Sequence, residues 1–217
     1  FSVSQRSIQQ NFLGIDKTLH DAFERLDKLH KGDGAIRGLP TGFVDLDNIT
    51  AGLQKSNLVI LAARPSIGKT TLALDIIRNI ARDTPVGLFT IEMSREEVTD
   101  RFLAAEAGVS LWKMRTGRLS SEGENNDFDK IGMALDSLAK SKIFIDDSSA
   151  PTVLQMRAMA RRLQAEHGLG LIVVDYLQLI RSNKSYDNPV QQITEISRNL
   201  KGLARELNIP VLALSQL

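Results

Sequence analysis

Apolar residues along this chain follow two periods, which together predict a sheet of parallel strands with helices on both faces. Five short and nearly continuous apolar runs have the pattern of strands buried on both sides. These runs lie at residues 57–62, 86–91, 142–145, 171–174 and 211–214. Between them, helical periodicity extends over residues 69–82, 95–107, 124–140, 152–167 and 189–207. The alternation indicates an α/β fold with a doubly wound, mainly parallel sheet, which binds its ligand at the carboxyl ends of the strands.

The remaining segments are more polar. Residues 1–31 are predicted to be helical, because apolar residues recur there at steps of three and four and form one stripe. The stripe consists of Ile15, Leu19, Phe23, Leu26 and Leu29. A glycine-rich stretch at 31–34 ends this helix, and residues 38–47 are predicted to be a turn-rich entry to the first strand. Residues 118–127 have the composition of a solvated loop.

Composition narrows the class of protein. A length of 217 residues fits one large α/β domain or two small ones, and 42% hydrophobic with 24% charged residues is typical of a soluble protein. The absence of cysteine excludes disulfides and cysteine-ligated metals and suits the cytoplasm. No apolar run approaches the roughly 20 residues that span a bilayer, so no membrane partner is expected. With a net charge of +1, the chain must hold any nucleic acid through a local basic strip or through several copies.

The segment 63–71 has the pattern of a phosphate-binding loop. It follows an apolar strand and leads into an amphipathic helix, which is the context that a nucleoside-triphosphate P-loop requires. Lys69 is expected to reach the β- and γ-phosphates, and the Thr70 hydroxyl to ligate Mg²⁺. Ala63 replaces the first glycine of the general motif and fits if it keeps a negative φ. The alternative is a chance Gly-Lys-Thr in a surface turn. The loop residues predicted to bind ATP are Arg64, Pro65, Ser66, Ile67, Gly68, Lys69, Thr70 and Thr71.

Two carboxylates end later strands of the predicted sheet. Asp175 follows a fully apolar strand, where a P-loop protein holds Mg²⁺, usually through water. The alternative for Asp175 is an ordinary turn cap. Glu92 follows the strand after the P-loop helix and is predicted to activate the attacking water, if that strand neighbours the P-loop strand. Alternatively, Glu92 is an acid at a helix N-terminus, since Ser94 is a good helix cap.

Gln216 ends the last predicted strand. An amide at that place suits a sensor that contacts the γ-phosphate and a mobile loop. A buried glutamine with a satisfied amide fits the spacing equally well.

Several motifs occur together, in a constant order, across nearly all of the chain. They are residues 42–47, 63–71, 91–94, 175–179, 196–207 and 214–217. In this combination the chain resembles the bacterial replicative DNA helicases, the DnaB family, and Ala63 also matches that family. The resemblance implies a RecA-like P-loop NTPase domain, truncated at both ends. Residues 1–10 then correspond to the end of a linker helix, and residues 11–217 to the RecA-like helicase C-terminal domain without its last part.

The resemblance also implies a function. Members of this family form a ring of six subunits that encloses one DNA strand and moves 5′ to 3′ at the replication fork, with ATP and Mg²⁺. Carried over by position, Glu92, Lys69 and Gln216 are catalytic, Thr70 and Asp175 hold the metal, and Arg101 contacts nucleotide. Implied partners are single-stranded DNA, further copies of the chain, primase and a helicase loader. The implied location is the cytoplasm, in association with the nucleoid. Because the family's arginine finger lies after the last motif, residues 1–217 alone are expected to hydrolyse ATP weakly.

The polar loop 181–188 follows the strand that ends in Asp175. In a RecA-like ring this loop faces the channel, so Arg181 and Lys184 are predicted to contact DNA phosphates. The alternative is an exposed loop with two ordinary charges. A second basic run, residues 157–162, is predicted to be a solvated or subunit-facing helix surface, with Leu154, Ala158 and Leu163 on its packing side.

Three other functions remain open at this stage. A strand-exchange or circadian-clock relative of RecA shares the P-loop, the glutamate and the sheet, although the motifs at 175–178 and 215–216 favour the helicase. A small-molecule kinase requires an arginine-rich lid that the sequence does not show. A loader or regulator that binds nucleotide without hydrolysis has no need for Glu92.

Overall fold

The computed structural model describes residues 14–31, 36–124, 126–182 and 188–217. They belong to two units, Phe1–Arg37 and Gly38–Leu217. In the first unit, helix α1 spans Ile15–Lys31 and confirms the helical period predicted there. The segment 1–10, predicted to end a linker helix, lies outside the described residues.

The second unit contains one parallel sheet of five strands, β1 to β5, in the order β1-β5-β4-β2-β3. The strands are β1 Leu58–Ala63, β2 Val86–Thr90, β3 Ile143–Asp146, β4 Leu171–Asp175 and β5 Val211–Gln216. The helices are α2 Val44–Thr50, α3 Lys69–Ile80, α4 Arg95–Ala107, α5 Leu111–Thr116, α6 Asp127–Lys140, α7 Val153–His167 and α8 Pro189–Leu207. A single 3₁₀ turn covers Leu177–Leu179. The five strands and five long helices predicted for residues 57–217 are therefore confirmed, with ends that differ by at most a few residues.

Both faces of the sheet are covered by apolar side chains. On one face α7 and α8 contribute Met156 and Leu200, which pack in a cluster with Ile172 of β4. On the other face α3 contributes Ile77 to a cluster that contains Val173 of β4. Successive residues of β4 point to opposite faces, so every residue of this strand is buried. This two-sided burial, which β2 shares, is why these two strands are continuous apolar runs in the sequence.

Two short helices were not predicted. The segment expected to be a turn-rich entry contains α2, and α5 follows α4 directly. Neither is long enough to show a helical period. Instead, the buried carboxylate of Asp47 in α2 accepts hydrogen bonds from the backbone N–H groups of Thr41 and Gly42 and from the Thr41 hydroxyl. The start of α2 is therefore held by a contact between residues six apart, which periodicity does not reveal.

The packing side predicted for α7 is wrong for Leu154 and Ala158, which are exposed, whereas Leu163 does pack against the core. Leu154 is 60% exposed, whereas Val153, Met156 and Ala160 are buried. Apolar residues occur on both candidate faces of this helix, so its rotation was ambiguous in the sequence. In the basic run, Arg157 and Arg161 both pair with Glu206 of α8, which agrees with a surface role.

None of the helices in the described ranges combines the length and the apolar character needed to cross a lipid bilayer.

Candidate nucleotide-binding site

The segment between β1 and α3 forms a concave turn of backbone amides. Ser66 has φ 66° and Gly68 has φ 97°, so two residues in the left-handed region are separated by one other residue. Alternation of this kind turns successive N–H groups toward one side and makes an anion-binding nest. Helix α3 begins at Lys69 and adds its N-terminal dipole to the same place. Ala63 keeps a negative φ, as the sequence analysis required.

Lys69 and Thr70, the first two residues of α3, make contacts with the end of β4. The Thr70 hydroxyl donates a hydrogen bond of 2.9 Å to the Asp175 Oδ2 atom. The Lys69 ammonium lies 4.6 Å from the centre of the Tyr176 ring, within the range of a cation–π interaction. The phosphate loop and the carboxylate that ends β4 are thus in direct contact. Sequence reasoning did not identify Tyr176 as part of this site, although its position directly after Asp175 places it at the same strand end.

Asp175 has the surroundings of a residue that holds a cation. It is 3% exposed, and burial raises the pKa of its carboxyl group. The Thr70 hydrogen bond and the charge of Lys69 oppose this rise in pKa, and the charge of Glu92 adds to it. The buried Oδ1 atom has no hydrogen-bond partner among the described residues. An acceptor without a donor, in a hydroxyl-carboxylate pair, fits a Mg²⁺ ion bound by Thr70 and by Asp175 directly or through water.

Glu92 lies at the same sheet edge, but by a different arrangement from the one that the sequence analysis assumed. Strand β2 does not neighbour β1; it pairs with β3 and β4. Thr90 is in register with Asp175, and the Ile91 N–H group donates to the Asp175 carbonyl at 2.9 Å. Glu92 therefore follows the strand next to Asp175, and its exposed side chain is close enough to influence the pKa of that carboxyl group.

The turn that carries Glu92 leads into helix α4. The Ser94 side chain accepts a hydrogen bond from the Glu97 N–H group and caps the helix, as expected. The Asp147 carboxylate accepts hydrogen bonds from the backbone N–H and the guanidinium of Arg95 at 3.1 and 2.8 Å. Asp147 carries no signal of this contact in the sequence, because its partner is 52 residues away.

Arg101, on α4, is close enough to Asp175 for its charge to act on that carboxyl group. Its positive charge lowers the pKa of Asp175, and its guanidinium pairs with Glu97 at 3.3 Å. Glu97 is shared with Arg115, whose hydrogen bond is the main reason that the pKa of Glu97 is lowered. The buried Arg101 Nε atom has no hydrogen-bond partner in the described part of the chain. Arg101 also lines the same cavity as Thr71, the last residue of the phosphate-loop segment.

Gln216 ends β5, the strand that lies between β1 and β4. Its side chain is exposed, so the alternative of a buried strand-end amide is wrong. Its backbone is held by Gln178 of the 3₁₀ turn, whose amide donates to the Gln216 carbonyl at 2.9 Å and to the Ser215 hydroxyl at 3.0 Å. The predicted sensor position is therefore tied to the segment that follows Asp175.

Arg181, the first of the two predicted DNA contacts, follows the segment that contains the 3₁₀ turn. Arg181 is exposed, and its backbone N–H group donates to the Pro151 carbonyl at 3.1 Å. Lys184 lies outside the described residues. Of the two predicted DNA contacts, the structure therefore describes Arg181, which lies shortly after the end of β4.

Comparison with known proteins supports the family resemblance. The sequence profile of the DnaB-like helicase C-terminal domain matches residues 38–217. The chain is 47% identical to the replicative DNA helicase DnaB of Geobacillus stearothermophilus and 46% identical to the replicative DNA helicase DnaC of Bacillus subtilis, over 99% of its own length. It spans about half the length of these curated relatives, 47% in each case.

Solved structures have the same architecture. The ATPase domain of G40P superposes with a TM-score of 0.87 at 35% identity, over 95% of this chain and 72% of that one. A DnaB-like replicative helicase, described with its interactions with primase, superposes with a TM-score of 0.85 at 35% identity, over 94% of this chain and 49% of that one. The predicted RecA-like fold is confirmed by the all-parallel sheet and by this likeness to an ATPase domain. The chain belongs to the DnaB-like helicase C-terminal domain family.

Proposed function

We propose that this chain is the motor domain of an ATP-dependent replicative DNA helicase. The observation that carries the proposal is the hydrogen bond between Thr70 and Asp175, which joins the phosphate loop to the end of β4. The charges of Glu92 and Arg101 both influence the pKa of the Asp175 carboxyl group, so the proposed base and a cation lie near the pair formed by Thr70 and Asp175. This set of residues suits hydrolysis of a nucleoside triphosphate. It brings the anion-binding nest, the carboxylates of Asp175 and Glu92, and positive charge to one edge of the sheet.

Each residue then has a separate task. The amides of residues 64–71 and the Lys69 ammonium bind the phosphates of ATP, and Arg101 contacts the nucleotide from α4. Thr70 and Asp175 would hold Mg²⁺, which would supply positive charge to the bound triphosphate. Glu92 orients a water molecule and accepts its proton as the water oxygen bonds to the γ-phosphorus and the bond from that phosphorus to the β–γ bridging oxygen breaks, which releases ADP. Gln216 contacts the γ-phosphate and registers its loss.

The work done by hydrolysis is movement along single-stranded DNA. In the full-length protein, six copies form a ring around one strand, and the loops at 181–188 contact its phosphates in the channel. Movement is 5′ to 3′ on the enclosed strand and separates the duplex at the replication fork. Primase and a helicase loader are the expected further partners, and the protein acts at the nucleoid in the cytoplasm. The support for these assignments is the family relationship, including a DnaB-like relative whose structure was described with its interactions with primase.

A strand-displacement assay tests this function. The full-length protein is expected to release a labelled strand from a forked duplex in the presence of ATP and Mg²⁺, and a non-hydrolysable analogue is expected to give no release. Lys69→Ala is expected to abolish both displacement and hydrolysis, because the phosphates lose their principal cation. Hydrolysis without displacement by the wild-type protein would contradict a helicase and favour a strand-exchange or clock-type ATPase, whereas nucleotide binding without hydrolysis would favour a loader or regulator.

Arg181 and Lys184 provide a second test. Replacing both with Ala is expected to weaken single-stranded DNA binding and to reduce the slope of log K against log salt by about 1.4 for each subunit that contacts the strand, or 0.7 per lost phosphate contact. The base preference should not change, since phosphate contacts carry no sequence information. Lys55→Ala is the matched control, because this exposed lysine precedes β1, at the opposite sheet edge. An unaltered salt slope in the double variant would remove the loop from the DNA-binding surface.

A further inference from the structure

Thr90 is a buried polar residue next to the proposed catalytic carboxylate, and the chemistry above does not use it. Its exposed fraction is 1%, and it is one of five buried polar or charged residues in the part of the chain that the structure describes. Its hydroxyl donates a hydrogen bond of 2.9 Å to the carbonyl of Met93. This bond spans the two residues between them, Ile91 and Glu92. It therefore closes the turn that carries the catalytic carboxylate.

Glu92 has no regular secondary structure to hold it. Strand β2 ends at Thr90 and α4 begins at Arg95, so the turn lies outside both hydrogen-bond ladders. The Ile91 N–H group is bonded to the Asp175 carbonyl at one end of the turn, and Arg95 is bonded to Asp147 at the other. These bonds hold the two ends of the turn. The Thr90 hydroxyl acts across its middle, where Glu92 lies.

We propose that Thr90 is a positioning residue for the reaction, and that its hydroxyl holds the turn 91–93 in the conformation that directs Glu92 toward the phosphate loop. The inference rests on the proposed role of Glu92 as the base. A displacement of about 1 Å in a catalytic group can lower a rate about 10²-fold. Since the phosphate loop takes no part in the Thr90 bond, loss of the hydroxyl should lower kcat and leave nucleotide affinity almost unchanged.

The test compares Thr90→Val with Thr90→Ser in the full-length protein. Valine has the shape of threonine without the hydroxyl, and serine keeps the hydroxyl without the methyl group. At a temperature well below both melting transitions, Thr90→Val is expected to lower kcat for ATP hydrolysis by about 5–30-fold, a fraction of the loss caused by a 1 Å displacement. Thr90→Ser is expected to stay within about twofold of wild type, because its hydroxyl can still donate to Met93. Affinity for a non-hydrolysable ATP analogue should change by less than about twofold in both variants, since the anion nest is intact.

Thr41→Val is the matched control for a purely structural effect. Thr41 is fully buried, and its hydroxyl donates to Asp47 and accepts from the Phe43 N–H group, at a distance from the turn in sequence and in hydrogen bonding. This variant is expected to lower the melting temperature without lowering kcat. If Thr90→Val behaves in the same way, Thr90 is only structural and the proposal is overturned. Should Thr90→Val fail to fold, Thr90→Ala and Thr90→Ser, which differ by one oxygen atom, decide the question on the same criterion.

A double-mutant cycle separates this inference from the proposed function. In a Glu92→Gln background, Thr90→Val is expected to cause no further loss of the single-turnover rate, because the residue that it positions is already inactive. A full additional loss would show that Thr90 acts apart from Glu92 and would overturn the inference. If Glu92→Gln itself hydrolyses ATP at the wild-type rate, the role proposed for Glu92 fails. If Glu92→Gln is inactive and Thr90→Val is normal, only the positioning role fails.

Discussion

Glu92→Gln is expected to stop ATP hydrolysis while nucleotide binding persists. The substitution keeps the size of the side chain and removes the group that accepts the proton from the attacking water. General-base catalysis is worth about 10²–10⁴-fold, so kcat should fall by that factor. Nucleotide affinity should remain within about threefold, because binding comes from the phosphate loop and the α3 N-terminus. Single-turnover hydrolysis and titration with a fluorescent ATP analogue measure the two quantities separately.

Glu96→Gln is the matched control for that substitution. Glu96 is also exposed, and it lies in the first turn of α4, four residues from Glu92. Its replacement removes the same charge close to the site and should leave kcat near the wild-type value. A fall in kcat that is equal in both variants would assign the effect to the local electrostatic field, and Glu92 would then have no special role.

Asp175→Asn is expected to abolish Mg²⁺-dependent hydrolysis and, without ligands, to stabilise the fold. Burial raises the pKa of this carboxyl group, which means that its ionised form is less favourable in the folded than in the unfolded chain. The cost is present at pH values above the folded pKa, and Asn removes it while its amide oxygen can still accept from Thr70. An increase of about 1 kcal/mol corresponds to roughly 2–4 °C in a domain of this size.

When Mg²⁺-nucleotide is bound, the wild type should be more stable than Asp175→Asn. Wild type gains about 2.7 kcal/mol when Mg²⁺-nucleotide is present at 100 times its Kd, whereas the variant lacks a metal ligand and should gain less. Differential scanning calorimetry with and without Mg²⁺-ATP analogue measures the crossing. Asp136→Asn, at an exposed position of α6, controls for the loss of one negative charge. A variant that is less stable than wild type without ligand would contradict the assigned cost of the buried charge.

The helices, the strands and the phosphate loop could be predicted because each leaves a pattern in residues that are adjacent in the sequence. The central strands β2 and β4 are buried on both faces, so an apolar run marks each of them wherever it pairs. The phosphate loop is visible because its strand, loop and helix are adjacent in sequence. The order of the strands is not visible in this way, since pairing joins distant segments such as Leu58 and Val211. The reasoning for Glu92 therefore assumed that β2 lies beside β1, and the structure places β4 and β5 between them.

The contacts that support the site were harder to predict from sequence. Tyr176 under Lys69, Gln178 at the end of β5 and Asp147 at the start of α4 all act on residues from other parts of the chain. Their residue types are common in turns and carry no signal of a specific partner. Thr90 is different, because its partner is three residues away, but a buried threonine at a strand end resembles any other β-branched strand residue.

The position of strand β5 determines when the sheet can be completed during protein synthesis. It is the fifth of the five strands along the chain, yet it lies between β1 and β4, and it is the element through which β1 joins the rest of the sheet. While a ribosome is still translating the preceding residues, β1 and the β4-β2-β3 group share no strand pairing. Arrival of residues 211–216 unites them, and the phosphate loop and Asp175 can then meet across a finished sheet. The nascent chain should therefore acquire its ability to bind nucleotide late and abruptly, when this central strand has left the exit tunnel.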